Sequence, residues 1–268
     1  MTDVGTTARR WRPPPLIANP WLRRGLIVGV TIYLALALGT VELNWARVID
    51  GLERGGRFIA GFLQPNFSTR WDDILQGMIE SLTMTVTSTA VGIAISIPIG
   101  VGAARNVVPG SVYYVCRAII AVSRSLQEII IAILLVAMVG FGPFAGFLTL
   151  SFATIGFLSK LLAEDIEDID PAPLEAIRAT GAGWASILSY GVLPQVAPRL
   201  IGLSLYRLDI NFRESAVVGI VGAGGIGATL NTAIDRYEFD SAAAVLILII
   251  AIVMVSEYAS SVIRKWVQ

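Results

Sequence analysis

The sequence contains no histidine, one cysteine and few charged residues. Charged residues make up 15% of the 268 positions and hydrophobic residues 55%, whereas about 25% of residues are charged in a typical soluble domain. Without histidine, neither a Ser-His-Asp or Cys-His catalytic arrangement nor a histidine-ligated zinc site can form. Because Cys116 is the only cysteine, an intrachain disulfide and a cysteine-held cluster are also excluded. What remains is a membrane protein whose function depends on where its few charges lie.

Six apolar runs are long enough to span a bilayer, which takes about 20 residues of helix. The predicted spans cover residues 25–43, 81–104, 112–139 and 143–159, a fifth run that starts near 198, and 241–263. The turn signal Gly140-Phe141-Gly142-Pro143 separates the third span from the fourth. The sequence therefore predicts an all-α, polytopic membrane protein with six transmembrane helices.

The basic residues predict how the chain crosses the membrane. Five Arg precede the first span, so the positive-inside rule places residues 1–24 in the cytoplasm, and six crossings return the C-terminus to the same side. The predicted organisation is a cytoplasmic lead-in of 1–24, a first transmembrane helix of 25–43, an extracytoplasmic interfacial segment of 44–76 and a five-helix core of 77–265. Because 20 basic and 20 acidic residues balance, the chain has no general attraction for nucleic acid.

The connection between the fourth and fifth spans, residues 164–197, is the most informative stretch. Its acidic beginning ends in Asp170 and Pro171, an N-cap followed by proline in the first helical turn. Residues 174–180 are predicted to form a short helix, which Gly181 ends through its left-handed backbone.

A second helical piece, 184–192, is predicted to stop at Leu193-Pro194. A short helix, a glycine turn and a second helix would make a compact knob outside the membrane. Composition alone favours a solvated connector for this loop.

Charged residues interrupt the predicted fifth span at Arg207, Asp209, Arg213 and Glu214. One charge at the centre of a lone helix costs about 2.5–3.5 kcal/mol on insertion scales, so protein or water must surround this stretch. Arg207, Asn211 and Glu214 share one helix face, whereas Asp209 and Arg213 share another at a spacing that allows an ion pair. Two interpretations stay open: internal salt bridges that fix the helix, or an arginine, Arg207 or Arg213, that lines a pathway for an anion.

Two further signals in the membrane have similar alternatives. Arg124 and Glu128, spaced i and i+4 in the predicted third span, fit either a salt bridge or a pathway. Small residues line one face of the second span: Ser81, Thr85, Ser88, Gly92 and Ser96. Close helix packing explains such a stripe, and a polar pathway lining that includes Ser88 is the second interpretation.

The glycine-rich segment 222–227 matches G-x-G-x-x-G, the pattern of dinucleotide-binding turns. It follows an apolar helix rather than the strand of a βαβ unit, so nucleotide binding is rejected here. A flexible turn at the outer end of the fifth span is predicted instead. The sequence also has no G-x-x-x-x-G-K-[ST], so this chain binds no ATP through a P-loop.

The knob has the spacing Glu175-Ala176-x-x-x-x-Gly181, with Leu193-Pro194 beyond it. This spacing resembles the EAA…G…LP signature of permease subunits of bacterial type I ABC importers. In that family the knob is a coupling helix that docks into a groove on the ATPase subunit. A small, glycine-ended helix suits this role because it lets a partner surface approach closely.

Two positions depart from the family signature: Ile177 replaces the usual second Ala, and Gly191 sits where Ile is common. Neither departure alters the Glu–Gly–Pro frame. Other strings resemble the phosphonate-uptake branch of these permeases, which includes phosphite and phosphate carriers. These strings cover residues 103–106, 140–146, 178–182, 190–196, 205–207 and 221–227.

The resemblance implies an importer assembled from several chains in the bacterial inner membrane. A homodimer of this chain would bind two copies of an ABC ATPase on the cytoplasmic side and an extracytoplasmic substrate-binding protein, and would work by alternating access. ATP and Mg would be bound by the ATPase, leaving this chain without cofactor, metal or catalytic residue. The coupling residues would be Glu175, Ala176, Arg178, Gly181 and Ala182. The candidate pathway residues are Arg207, Asp209, Arg213, Glu214, Arg124, Glu128 and Ser88. The candidate outer-gate residues are Gly222, Gly224 and Gly225.

Three other functions stay open at this point. An ABC permease for another small solute would share every feature above. A self-sufficient secondary transporter usually shows inverted repeats, and no repeat stands out in this sequence. A membrane-embedded enzyme acting on a lipid would need a convergent acid/base or metal cluster at the interface, and only the acids of 164–170 approach one.

Overall fold

The structure, a computed structural model, describes residue 17 and residues 19–40 and 45–267. These residues form helices joined by short connections, without a β-strand among them, so the predicted all-α fold is confirmed. The helices are α1 (Pro20–Thr40), α2 (Trp45–Phe62), α3 (Trp71–Gly102), α4 (Gly110–Ser125), α5 (Glu128–Val139), α6 (Pro143–Glu167), α7 (Pro171–Ala179), α8 (Trp184–Ser186), α9 (Leu193–Val218), α10 (Gly225–Asp235) and α11 (Phe239–Val267). Two π-helical segments, Ile187–Val192 and Gly219–Ala223, adjoin α9 at its two ends. Most of the predicted lead-in, 1–24, lies outside the described residues.

Contacts divide the chain into two units, residues 1–56 and 57–268. In the first unit α1 is apolar over its 21 residues and buries none of them. At 1.5 Å per residue such a helix is about 32 Å long, which matches the hydrocarbon core of a bilayer. The helix expected within the interfacial segment is α2, on which Ile49 and Leu52 are exposed.

Four helices are each long and apolar enough to cross a membrane: α1, α3, α6 and α11. Two bent pairs pass the same test together, namely α4 with α5, bent by 92°, and the helix Trp184–Ala223 with α10, bent by 56°. Counting each bent pair as one span gives six, the predicted number. The core begins earlier than predicted, because α3 starts at Trp71, inside the predicted interfacial segment.

Helix α3 connects the two ends of the second unit. Near its start, the carbonyl of Asp73 accepts a hydrogen bond from the Thr229 hydroxyl of α10 at 3.3 Å. Just after its end, the carbonyl of Asn106 accepts one from Arg178 of α7 at 3.5 Å. We therefore refer to the α10 end and the α7 end of the unit.

Small residues let α6 pack closely on α3. A Cβ added to Gly92 would clash with Thr154, and one added to Gly100 would lie 2.9 Å from Leu162. Ser88 of the same stripe is 0% exposed, and its hydroxyl donates to its own helix. This placement supports close packing as the reason for the stripe and does not support a pathway lining by Ser88.

The predicted third span, 112–139, is not one helix. Leu126 and Gln127 have extended backbone, with ψ of 138° and 145°, and they separate α4 from α5. The helical i and i+4 relation predicted for Arg124 and Glu128 is therefore wrong, because the helix breaks between them. No glycine or proline marks this bend, and the polar residues of 123–128 were interpreted as part of a continuous helix.

The predicted helix stop at Leu193-Pro194 is also wrong. The π-helical turn before it is closed by a bond from the Leu193 N–H to the carbonyl of Leu188, five residues back. Pro194 then lies in the first turn of α9, where a missing N–H is tolerated. The carbonyl of Gly191 accepts a bond from the side chain of Gln195 at 2.7 Å. The knob and the fifth span are thus continuous.

The glycine-rich segment 222–227 was predicted to be the outer end of the fifth span, and this prediction is wrong. The segment breaks the span, and the 11-residue helix α10 begins within it at Gly225 and continues to Asp235. The first amides of α10 are held by α3: the Gly225 N–H donates to the Glu80 carboxylate at 3.1 Å, and the Ile226 N–H donates to the Ser81 hydroxyl at 2.9 Å. Side chains of another helix therefore satisfy amides that a helix N-terminus leaves free.

Candidate functional site

The knob has the local structure that its sequence predicts. Asp170 caps α7 by accepting a hydrogen bond from the Ala172 N–H at 3.0 Å, and Pro171 follows in the first turn. Gly181 has φ of +78°, the left-handed conformation that ends the helix. Both predicted helix signals are confirmed.

The predicted coupling residues lie on α7 and in the turn after it. The exposed ones are Glu175, Ala176, Arg178 and Gly181, and Ala182 is half-buried. In the same helix, Leu174 is 5% exposed and packs in a cluster with Val192 and Val196. The helix is therefore anchored through Leu174 and through the bond from Arg178 to Asn106, while Glu175 and Ala176 stay exposed.

The two departures from the family signature contact each other. A Cβ added to Gly191 would lie 3.3 Å from Cδ1 of Ile177 and 3.4 Å from Cδ1 of Leu174. The larger residue at 177 thus fills space that a larger residue at 191 would need. We therefore expect the sizes of the residues at 177 and 191 to compensate each other.

Two side chains without a predicted role, Gln195 and Trp184, hold the knob against neighbouring segments. The Gln195 side chain accepts from the Asp170 N–H at 3.1 Å and donates to the Asp170 carbonyl at 3.4 Å, which ties α9 to the start of α7. The Trp184 indole donates to the carbonyl of Val107 at 3.0 Å. In the sequence, the one indication of a role for either residue is that Gln195 lies in 190–196, a segment that resembles the phosphonate-uptake branch.

Arg207 is the centre of the charges on α9. It is 3% exposed, and its Nη2 lies 3.1 Å from Oε2 of Glu214 and 3.9 Å from Oε1 of Glu128. Its Nε donates to the hydroxyl of Thr154 at 3.2 Å, and its guanidinium lies 5.4 Å from the ring centre of Phe157. The predicted shared face of Arg207 and Glu214 is confirmed, and Glu128 joins it from α5.

Asp209 and Arg213 form the second predicted pair, with Nη2 and Oδ2 3.4 Å apart. The Asp209 side chain is 8% exposed, whereas the Arg213 side chain is 59% exposed. The other carboxylate oxygen of Asp209 is buried and has no hydrogen-bond partner in the described part of the chain. No ion pair joins these two residues to the Arg207 cluster in the described part of the chain.

A cavity of about 390 Å³ opens beside Arg207, at the bend between α4 and α5. Its lining includes Ser123, Arg124, Gln127, Glu128, Phe157 and Arg207. Arg124 is exposed and makes no ion pair within residues 19–40 and 45–267. The structure therefore brings three predicted pathway residues, Arg124, Glu128 and Arg207, to one cavity within the predicted spans.

The predicted gate glycines lie at a close contact between two turns. Gly222, Gly224 and Gly225 all have positive φ, of +96°, +75° and +74°. The Gly142 N–H donates to the Gly222 carbonyl at 3.0 Å, and a Cβ on Gly224 would lie 2.6 Å from the backbone nitrogen of Pro143. Only glycine fits both the backbone conformation and the space.

Among the described residues, no group of three or more acidic or cysteine side chains could hold a metal ion. Fold and site together define an all-α, polytopic membrane protein with a charged cavity among its spans and an exposed helical knob. These are the features of the membrane component of a transporter. Residues 96–268 match the family described as "Binding-protein-dependent transport system inner membrane component". The chain belongs to this family, and the predicted resemblance to ABC-importer permeases is confirmed.

Named relatives place the chain more closely within this family. It is 46% identical to the phosphate-import permease protein PhnE of Mycolicibacterium smegmatis, over 90% of this chain and 45% of that protein. It is 38% identical to the putative phosphite transport system permease protein HtxC of Stutzerimonas stutzeri, over 88% of this chain and 84% of that protein. In a structure of the MetNI methionine ABC transporter in inward-facing conformations, a chain is 26% identical with a TM-score of 0.65, covering 75% of this chain and 99% of that one.

Proposed function

We propose that the chain is the permease subunit of an ABC importer that moves phosphonate or a related phosphorus oxyanion across the bacterial inner membrane. The names of the relatives, which include phosphate-import and phosphite transport permeases, support this substrate class. The observation that carries the proposal is the cavity lined by Arg124 and Arg207 between the predicted spans. An arginine in such a cavity offers the bidentate contact that phosphorus oxyanions favour.

The two arginines of the cavity have different roles in this proposal. Arg207 is buried and already neutralised by Glu214 and Glu128, so it fixes the wall of the pathway. Arg124 has no ion pair in the described chain and is exposed, so its charge is available to a passing anion. Arg124, rather than Arg207 or Arg213, is therefore the residue proposed to contact substrate.

Exposed arginines in the predicted spans support a second copy of the chain. Arg124 and Arg213 are both exposed in the single chain. On lipid each would cost about 2.5–3.5 kcal/mol by insertion scales. A homodimer that encloses a water-filled pathway removes this cost, as the family assignment also suggests.

The α7 end is proposed to face the cytoplasm and to bind the ATPase. The exposed face of α7, with Glu175, Ala176, Arg178 and Gly181, would dock on that subunit, together with Ala182. ATP and Mg would be bound and used there, so this chain itself would need no cofactor. Both chain termini are proposed to lie on this cytoplasmic side.

The α10 end is proposed to face the extracytoplasmic binding protein. Gly222, Gly224 and Gly225 would form the outer gate, because three glycines with positive φ within four residues allow the turn to move relative to Pro143. Alternating access would open this gate when ATP draws the two knobs together.

The proposal is tested by transport in vesicles that contain the full chain, its ATPase and its binding protein. With phosphonate, phosphite and phosphate as probes, Arg124→Gln is expected to lower uptake about ten- to a hundredfold, because one charge-assisted bond contributes about 1.5–3 kcal/mol. Arg54→Gln, which removes an exposed arginine of α2, is the matched control and should transport normally.

Normal uptake by Arg124→Gln at normal assembly would contradict the pathway. Transport by the purified chain without any ATPase would contradict the importer and favour a secondary transporter. Uptake of another solute with indifference to all three phosphorus oxyanions would retain the importer but overturn the substrate class.

A further inference from the structure

A small acidic cavity of about 220 Å³ lies at the α7 end, between the last turn of α6, the start of α7 and the first turns of α9. Its polar lining consists of Asp165, Asp168, Asp170, Gln195 and Arg199. Three carboxylates against one guanidinium leave the lining with an excess of negative charge. The proposed transport pathway makes no use of this cavity.

Asp165 is the buried member of the cavity. It is 7% exposed, and its Oδ1 pairs with Nε of Arg199 at 3.0 Å. Its Oδ2 is buried and has no hydrogen-bond partner among the described residues. A buried carboxylate oxygen without a partner is costly, so a donor is expected at this atom in the assembled protein.

The remaining acids of this stretch show that the excess charge is local. Glu164 pairs with Lys160 at 3.4 Å, and Glu167 pairs with Arg117 at 2.9 Å. Asp168, by contrast, is exposed and forms no ion pair within the described chain. Of the three carboxylates that border the cavity, Asp165 pairs with Arg199, and Asp168 and Asp170 have no ion-pair partner within the described chain.

We propose that this cavity binds a cationic side chain, Arg or Lys, of the ATPase subunit, beside the docking face of α7. The inference rests on the proposed function, because it requires an ATPase at the α7 end. The cavity and α7 share Asp170, so a partner seated on α7 reaches both. Asp170 also neutralises the positive amide end of α7, which would otherwise repel a cation.

A side chain suits the cavity better than a free metal ion. None of the acidic clusters in the described residues has an arrangement that could hold a metal ion. A guanidinium or ammonium group needs only hydrogen-bond acceptors at one side, and Oδ2 of Asp165 with the Asp168 carboxylate supplies them.

The test measures binding of the purified ATPase subunit to the full chain in detergent, across a range of salt concentrations. Asp165→Asn and Asp168→Asn are expected to weaken binding about tenfold or more, and to make it less sensitive to salt. Glu164→Gln, from the same acidic run but paired with Lys160, is the matched control and should bind normally. Because Asp168 is exposed, Asp168→Asn is expected to fold, and it keeps the test valid if Asp165→Asn fails to fold.

The outcomes are distinct. Weaker binding by both aspartate variants at normal membrane levels supports the cavity as a docking pocket. Normal binding by a folded Asp168→Asn and Asp165→Asn overturns the pocket and leaves the importer intact. An unaltered chain that binds no ABC ATPase overturns the proposed function itself.

Discussion

The contact between Ile177 and Gly191 allows a sharp test of how the knob is packed. Gly191→Ile would place a side chain where a Cβ alone already lies 3.3 Å from Ile177 and 3.4 Å from Leu174. Overpacking of this kind costs about 1–3 kcal/mol. Ile177→Ala deletes three carbons from a half-buried side chain, and half the cost of a fully buried site is about 1–2 kcal/mol.

The double variant, Ile177→Ala with Gly191→Ile, exchanges the sizes and recreates the pattern common in the family. If the two changes were independent, their costs would sum to about 2–5 kcal/mol. Since each side chain occupies the space of the other, we expect the double variant to lose only about 1 kcal/mol, a coupling of at least about 1 kcal/mol.

The assay is thermal unfolding of the purified full chain in detergent, with retention of the ATPase as a second readout. Gly183→Ile is the matched control, because a Cβ added there meets no atom within 4 Å. Losses in the double variant that equal the sum of the single losses would refute the compensation. A fully stable Gly191→Ile would refute the tight packing itself.

Two further variants probe the knob and the buried charges. Gly181→Val should uncouple ATP hydrolysis from uptake while the chain stays in the membrane, because φ of +78° strains any β-branched residue; coupled transport in vesicles by this variant would refute the docking assignment. Arg207→Gln should lower the free energy of unfolding by about 3–5 kcal/mol, because Glu214 loses its partner in a buried site. Adding Glu214→Gln should restore part of that loss in the same unfolding assay, and an additive loss in the pair would contradict the assigned ion pair.

The sequence predicted the structure correctly where a single residue determines a single feature of the local backbone. Asp170 and Gly181 were predictable because a capping side chain and a left-handed glycine act within a single turn. The shared face of Arg207 and Glu214 followed from helical periodicity, since α9 is helical between them.

The wrong predictions share a physical cause. At each of these positions the backbone or side-chain position depends on contacts between residues that are distant in sequence. The bend at Leu126 and Gln127 contains no glycine or proline, and the polar residues beside it, Arg124 and Glu128, have the i, i+4 spacing of an ion pair on a straight helix. Pro194 reads as a helix stop, yet a π-helical turn and the side chain of Gln195 accommodate it. Glu128 could be placed beside Arg207 only once the bend was known.

Helix α3 has a mechanical consequence if the protein works by the proposed alternating access. Its 32 residues make a rod of about 48 Å, attached to α10 near one end and followed by the loop that contacts α7 at the other. If α3 moved as one body, a tilt of about 10° around its midpoint would move its tips about 4 Å in opposite directions. A single lever of this kind would narrow one mouth of a channel as it widens the other, with no deformation along its length.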